Sequence, residues 1–181
     1  MNHHPITPSA AESTAITARP GIVRARELFL IDMPFKARRE WTFEVDHMSP
    51  RELEVAAHVV NRWGWYDRAI LALGKAASYD DLDIRFPLQH EPLVRNDAAQ
   101  RSIPAAVLSA MSGTESAFMD DARSPAGALG LRQVMPATGR ETARRIGAAL
   151  PNARGLLDPG KNIMIGSAYL KQVLDRFDGS F

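Results

Sequence analysis

The sequence predicts an all-α protein, and three observations carry that prediction. Apolar and charged residues recur at helical spacing along most of the chain. Several of these stretches open on residues that start helices, above all Ser49-Pro50-Arg51-Glu52 and Ile103-Pro104. No run of alternating β-branched residues of strand length interrupts them.

The elements follow in chain order. Residues 1–20 carry Pro, Ser, Thr and Ala with little pattern and are expected to be a flexible arm. They lack the basic start and apolar stretch of a signal peptide, so an exported protein would need a different N-terminus. The stretches Ile22–Ile31 and Phe35–Val45 read as helices. Ser49 then caps a third, with Pro50 in the first turn and Glu52 reaching back to complete a capping box. Trp63-Gly64-Trp65 breaks that helix, and a fourth follows over Tyr66–Ala76. Asp80 to Glu91 reads as an irregular connector whose clustered prolines and charges suggest a domain boundary. Pro104 opens a helix expected to reach Phe118, and 120–130, with Pro125, Gly127 and Gly130, is a loop. Pro136 starts a helix to Ile146, and Asp158-Pro159 starts a last one to about Phe177. The expected layout is an arm (1–20), a helical superhelix or linker region (21–100) and a second helical domain (101–181).

Composition removes several classes of function. The 181 residues are 45% hydrophobic and 24% charged, which suits a packed core. A net charge of +1 with no basic stripe argues against nucleic acid as a partner. There are no cysteines, hence no disulfides, thiolate metal sites or cysteine nucleophiles. The five histidines show no metal-ligand spacing, no glycine loop suited to phosphate appears, and no apolar run reaches the length of a membrane span. No metal and no cofactor is expected.

The helix from Pro104 holds the most informative acid. At helical spacing Leu108, Met111, Glu115 and Phe118 share a face, so Glu115 is expected within an apolar stripe, flanked by small residues. A carboxyl on such a face prefers to stay protonated, as an acid that protonates a glycosidic oxygen must be. A solvated glutamate at the helix edge is the plainer alternative on helix position alone.

The loop that follows changes that balance. Glu115-Ser116-Ala117-Phe118, then Ser124-Pro125-Ala126-Gly127-Ala128-Leu129-Gly130-Leu131-Arg132-Gln133-Val134-Met135-Pro136-Ala137-Thr138, resembles the soluble lytic murein transglycosylase family. That family shows E-S-x-[FW], a spacer, and S-P-x-G-A-x-G-L-M-Q-[LIV]-M-P-x-T. Leu156-Leu157-Asp158-Pro159, Asn162-Ile163 and Gly166-Ser167-Ala168-Tyr169-Leu170 look like its L-L-D-P-x-x-N-I-x-x-G-x-x-Y-L block. The resemblance implies part of a lysozyme-like α-helical catalytic domain after a superhelical region, and a periplasmic protein whose partner is the glycan strand of peptidoglycan. It implies cleavage of the β-1,4 bond between N-acetylmuramic acid and N-acetylglucosamine, leaving a 1,6-anhydro end. Glu115 would act first as acid and then as base. Because the nucleophile is a hydroxyl of the same sugar, one carboxylate suffices where most glycosidases use two; Asp120 and Asp121 read as solvated loop residues. Ser124, Gly127, Gly130 and Gln133 would line the substrate groove, each with turn or helix-end chemistry as its plain alternative. Met135 and Tyr169 read as core.

The chain also departs from the pattern. Thr114 stands where the family usually has Gln, and Arg132 where it usually has Met. An arginine in the groove is expected to change its shape and charge and, by pairing with Glu115, to weaken the acid. The family's A-Y-N-A-G-like segment does not follow the last block before Phe181, so weak or no activity is expected of this chain alone. Two other functions compete: a goose-type-lysozyme-like hydrolase, and a non-catalytic helical module that binds glycan or other cell-wall proteins.

Overall fold

The structure, a computed structural model, describes residues 5–177. Residues 1–4 of the expected arm and 178–181 of the expected second domain lie outside the described residues. Helices are the only regular elements among the described residues, with two isolated antiparallel bridges, Arg123 to Leu129 and Leu129 to Val134. The chain divides into two compact units, Met1–Pro87 and Leu88–Phe181. The division falls within the Asp80–Glu91 connector read as a boundary, upstream of the limit between 100 and 101 in the expected layout.

The first unit holds α1 (Ala10–Thr17), α2 (Pro20–Leu30), α3 (Pro34–Val45), α4 (Pro50–Asn61), α5 (Tyr66–Lys75) and the single turn α6 (Leu82–Arg85). Proline opens α2, α3 and α4, where its missing N–H costs no hydrogen bond. α2 packs on α3 and α4 on α5, with fully buried alanines such as Ala25, Ala37, Ala56 and Ala69 on their buried faces. Trp41 and Trp65 fill the core between them, Trp65 stacked on Phe29 with ring centroids 4.6 Å apart. The Trp63–Trp65 group is therefore packing.

Part of the expected arm is a helix. Ser9 caps α1 and forms a reciprocal capping box with Glu12, while Ile6 and Ile16 enter the core. The Arg51 guanidinium at the start of α4 donates to Glu12 (2.8 Å) and ties the two helices together. That guanidinium and the two Ser9 donors hold the Glu12 carboxyl down at about 2. The Asp80–Glu91 connector is also helical in part. The buried carboxylate of Asp81 caps α6 and accepts the Ile6 N–H at 2.7 Å, which fixes both ends of the unit.

The second unit holds α7 (Glu91–Arg101), α8 (Ala105–Ser116), α9 (Pro136–Arg145), a 3₁₀ segment (Ala153–Leu157) and α10 (Pro159–Arg176). α10 packs on α7, α9 and the 3₁₀ segment, and its residues enter both cores of the unit. Ile163 joins Val94, Leu108 and Leu131, whereas Ile165 joins Leu129, Val134 and Leu156.

Candidate active site

α8 buries Leu108, Ser112 and Ser116, one face at steps of four residues. The hydroxyls can be buried because each donates to the carbonyl one turn back: Ser112 to Leu108 (3.5 Å) and Ser116 to Ser112 (2.9 Å). Glu115 lies one position, about 100° of helix, off that face. It is exposed, and its carboxyl makes no hydrogen bond or ion pair among the described residues. The expected apolar stripe is therefore corrected. The helix stops at Ser116, and Ala117 and Phe118 turn left-handed (φ 50° and 63°), so Phe118 does not continue Glu115's face. Instead the buried Phe118 ring folds back over Gly113, where an added Cβ would sit 3.1 Å from it.

The following loop is built on its own backbone. Ser124 C=O accepts the Gly127 N–H (2.9 Å) and Ser124 Oγ accepts the Ala128 N–H (3.0 Å), closing a turn around Pro125. Gly127 leaves that turn at φ +90° and is exposed. Gly130 is different: it is buried at φ +72°, and a Cβ there would meet the Leu156 carbonyl oxygen at 2.3 Å. Gln133 is half-buried, also left-handed (φ 44°), and its side-chain amide donates to the Gly130 carbonyl at 2.8 Å. Gly130 and Gln133 thus share one turn, and Ser124 and Gly127 share the turn before it. Asp120 accepts from His90 at 2.9 Å and from Gln89 at 3.4 Å, so it is engaged at the entrance to α7.

Arg132 is not in a groove beside Glu115. It is 4% exposed, and its side chain runs against Gly166 of α10. None of its three guanidinium nitrogens has a hydrogen-bond partner among the described residues. Burial pushes its pKa down to about 10, against the attraction of Asp97 and with the help of Arg101. Met135 and Tyr169, expected in the core, are each 43% exposed. Thr114 is exposed and bonded to the Ala110 carbonyl.

The residue that sequence reasoning passed over is Asn162, noticed only as one letter of a motif. It is fully buried in the first turn of α10 and hydrogen-bonds Leu129, Arg132 and Leu156. An asparagine directly before the apolar pair Ile163 and Ile165 was the available signal. Among the described residues no group of acidic or imidazole side chains is placed to hold a metal ion.

Comparison with known proteins bears on this arrangement. Residues 15–82 match the soluble lytic murein transglycosylase L domain, and residues 92–181 match the transglycosylase SLT domain. The soluble lytic murein transglycosylase of Escherichia coli K12 is 33% identical over 165 residues, covering 91% of this chain and 26% of that protein. An inactive mutant of the lytic transglycosylase Slt from Pseudomonas aeruginosa superposes with a TM-score of 0.94 at 35% identity, over 98% of this chain and 29% of that one. A 70-kDa soluble lytic transglycosylase in complex with bulgecin A superposes with a TM-score of 0.90 at 30% identity, over 99% of this chain and 29% of that one. The chain spans about a quarter of the length of the curated relative, 26%.

Proposed function

The chain belongs to the soluble lytic murein transglycosylase family, and from that premise we propose that it cleaves the β-1,4 bond between N-acetylmuramic acid and N-acetylglucosamine in peptidoglycan, with Glu115 as the catalytic acid and base. The observation that carries this reading is the state of Glu115. It is a carboxyl at the exposed end of α8, free of internal partners among the described residues and followed directly by the Ser124–Gln133 loop.

The chemistry needs one such group. The Glu115 carboxyl gives its proton to the glycosidic oxygen as the bond from C1 of the muramic acid breaks, and the N-acetylglucosamine leaves as an alcohol. The C6 hydroxyl of the same muramic acid attacks C1 and closes the 1,6-anhydro ring. Its proton returns to the Glu115 carboxylate, which restores the enzyme without consuming water. An intramolecular nucleophile is already in place, so no second carboxylate has to position one. The engagement of Asp120 by His90 and Gln89 accords with that economy.

Gln133 is the polar contact for the sugar. Its amide nitrogen is held by Gly130, and its amide oxygen has no partner among the described residues. Ser124 shapes the loop through Ala128 and presents its hydroxyl from a half-buried position. A peptidoglycan substrate supports the reading of a periplasmic protein. Among the described residues no helix is long and apolar enough to cross a membrane.

Mass spectrometry of products released from purified peptidoglycan tests the assignment. Anhydro-muramyl ends are expected from the wild type and not from Glu115→Gln. Reducing ends in their place would identify a hydrolase and overturn the reading.

A further inference from the structure

We propose that Asn162 is a positioning residue for this site, a buried amide that sets the turn from which Gln133 meets the glycan. The assignment rests on the reading of the site given above.

A carboxamide has two N–H donors and one oxygen, and Asn162 uses all of them on backbone. Nδ2 donates to the Leu129 carbonyl (2.9 Å) and to the Leu156 carbonyl (2.7 Å), and Oδ1 accepts the Arg132 N–H (2.8 Å). Two of these partners bracket the turn that Gly130 and Leu131 form, and the third belongs to the 3₁₀ segment before α10. One side chain therefore clamps three backbone groups from two loops. Its own position is fixed by the capped start of α10, where Asp158 accepts the Lys161 N–H and its carbonyl accepts the Asn162 N–H.

The shape of the turn depends on this clamp. The absent Cβ of Gly130 would lie 2.4 Å from Asn162 Nδ2, so the amide occupies the space that any side chain there would need. Leu131 and Arg132 are buried, and Gln133 is the part of the turn left half-exposed. Gln133 takes a left-handed backbone that an L-residue adopts at a cost. Both its backbone N–H (3.0 Å) and its side-chain amide (2.8 Å) donate to the one Gly130 carbonyl. That carbonyl lies between the Leu129 C=O and the Arg132 N–H, the two groups on Asn162. Turning the Gly130 peptide plane would turn Gln133 with it. An aspartate at 162 keeps the shape of the side chain but opposes a carboxylate to two carbonyl oxygens, so it breaks the clamp with no change of size.

The experiment uses the whole chain carrying Glu115→Gln to prevent turnover, and measures its affinity for uncrosslinked peptidoglycan strands by calorimetry. Onto this parent are placed Asn162→Asp, Gln133→Ala, the two together, and Leu174→Ala, a core truncation away from the turn. Hydrogen exchange at the Arg132 amide, together with a cooperative melt, verifies that Asn162→Asp is folded and unclamped. The expected result is affinity lowered about tenfold by Asn162→Asp and by Gln133→Ala, no further loss in the double variant, and no loss in Leu174→Ala. Unchanged affinity in folded Asn162→Asp, or losses that multiply in the double variant, would overturn the assignment. A parent that binds no glycan strands would overturn the reading of the site itself, and the role of Asn162 with it.

Discussion

Arg132 is a buried guanidinium at a position where an apolar side chain is the family habit, and its consequence is energetic. Replacing buried ionic groups by well-packed apolar residues is often neutral or stabilising, by roughly 1–4 kcal/mol, and a guanidinium without hydrogen-bond partners favours the stabilising outcome. Arg132→Met is expected to raise stability toward urea by an amount in that range. The pH dependence has a definite sign. Burial holds the folded-state pKa down at about 10, below the ordinary arginine range. The unfolded chain therefore binds more protons between the two, and stability rises with pH across that window. Below it the penalty is fully present. Gly130→Ala acts in the opposite direction: it adds left-handed strain and a clash with the Leu156 carbonyl oxygen, 2.3 Å from the added carbon. A loss of about 2 kcal/mol or more is expected in the same measurement. At this scale the sequence was legible where a motif calls for a special backbone, as at the left-handed Gly130. It was not legible at Ser112 and Ser116, because a serine that returns its hydroxyl to its own helix is buried like an apolar residue but does not read as one.

The expected helices recur as α2–α5, α8, α9 and α10, each opened by a proline, a capping residue or a strong apolar period. Three α-helices were not expected, for distinct reasons. α1 carries the same Ser-x-x-Glu start that identified α4, at Ser9 and Glu12, but its weak apolar pattern hid it. α7 is polar along most of its length, and its packing rests on Val94, Ala98 and a buried Asp97 bonded to Ser167 of α10. Pro92, read as a breaker, sits in its first turn. α6 is a single turn that depends on Asp81, whose long-range bond to Ile6 no local pattern reveals. The α1–α4 link gives a prediction at this scale. The Glu12 carboxyl sits at about 2 against an ordinary 4.5, through Arg51 and Ser9. Its contribution is fully present above 4.5 and is lost as the pH falls toward 2. Amides of α1 are expected to lose hydrogen-exchange protection across that window ahead of α4. Glu12→Gln is expected to show the same loss already at neutral pH.

Over the whole chain, two helical units each build their own core, and the second carries the candidate chemistry at one end of a short helix. The all-α class was legible because periodicity and start signals agree over α2–α5 and α8–α10. The division at Pro87 was legible in the clustered prolines and charges of the Asp80–Glu91 connector, but the helix that begins just beyond it, α7, was not, because it is polar along most of its length. The candidate site was legible as a set of residue types in order, but not as an environment. An acid expected in an apolar stripe is exposed, and an arginine expected beside it is buried elsewhere. Exposure has a use, since a glycan must reach the carboxyl, and a surface substitution there leaves folding within about 0.5 kcal/mol. Loss of activity in Glu115→Gln therefore reports chemistry. The decisive measurement is product analysis by mass spectrometry after incubating purified peptidoglycan with the wild-type protein and with Glu115→Gln. The account predicts 1,6-anhydro-muramyl ends from the wild type and none from the variant at equal folded concentration. Anhydro ends released equally by both would remove Glu115 from the chemistry and contradict it.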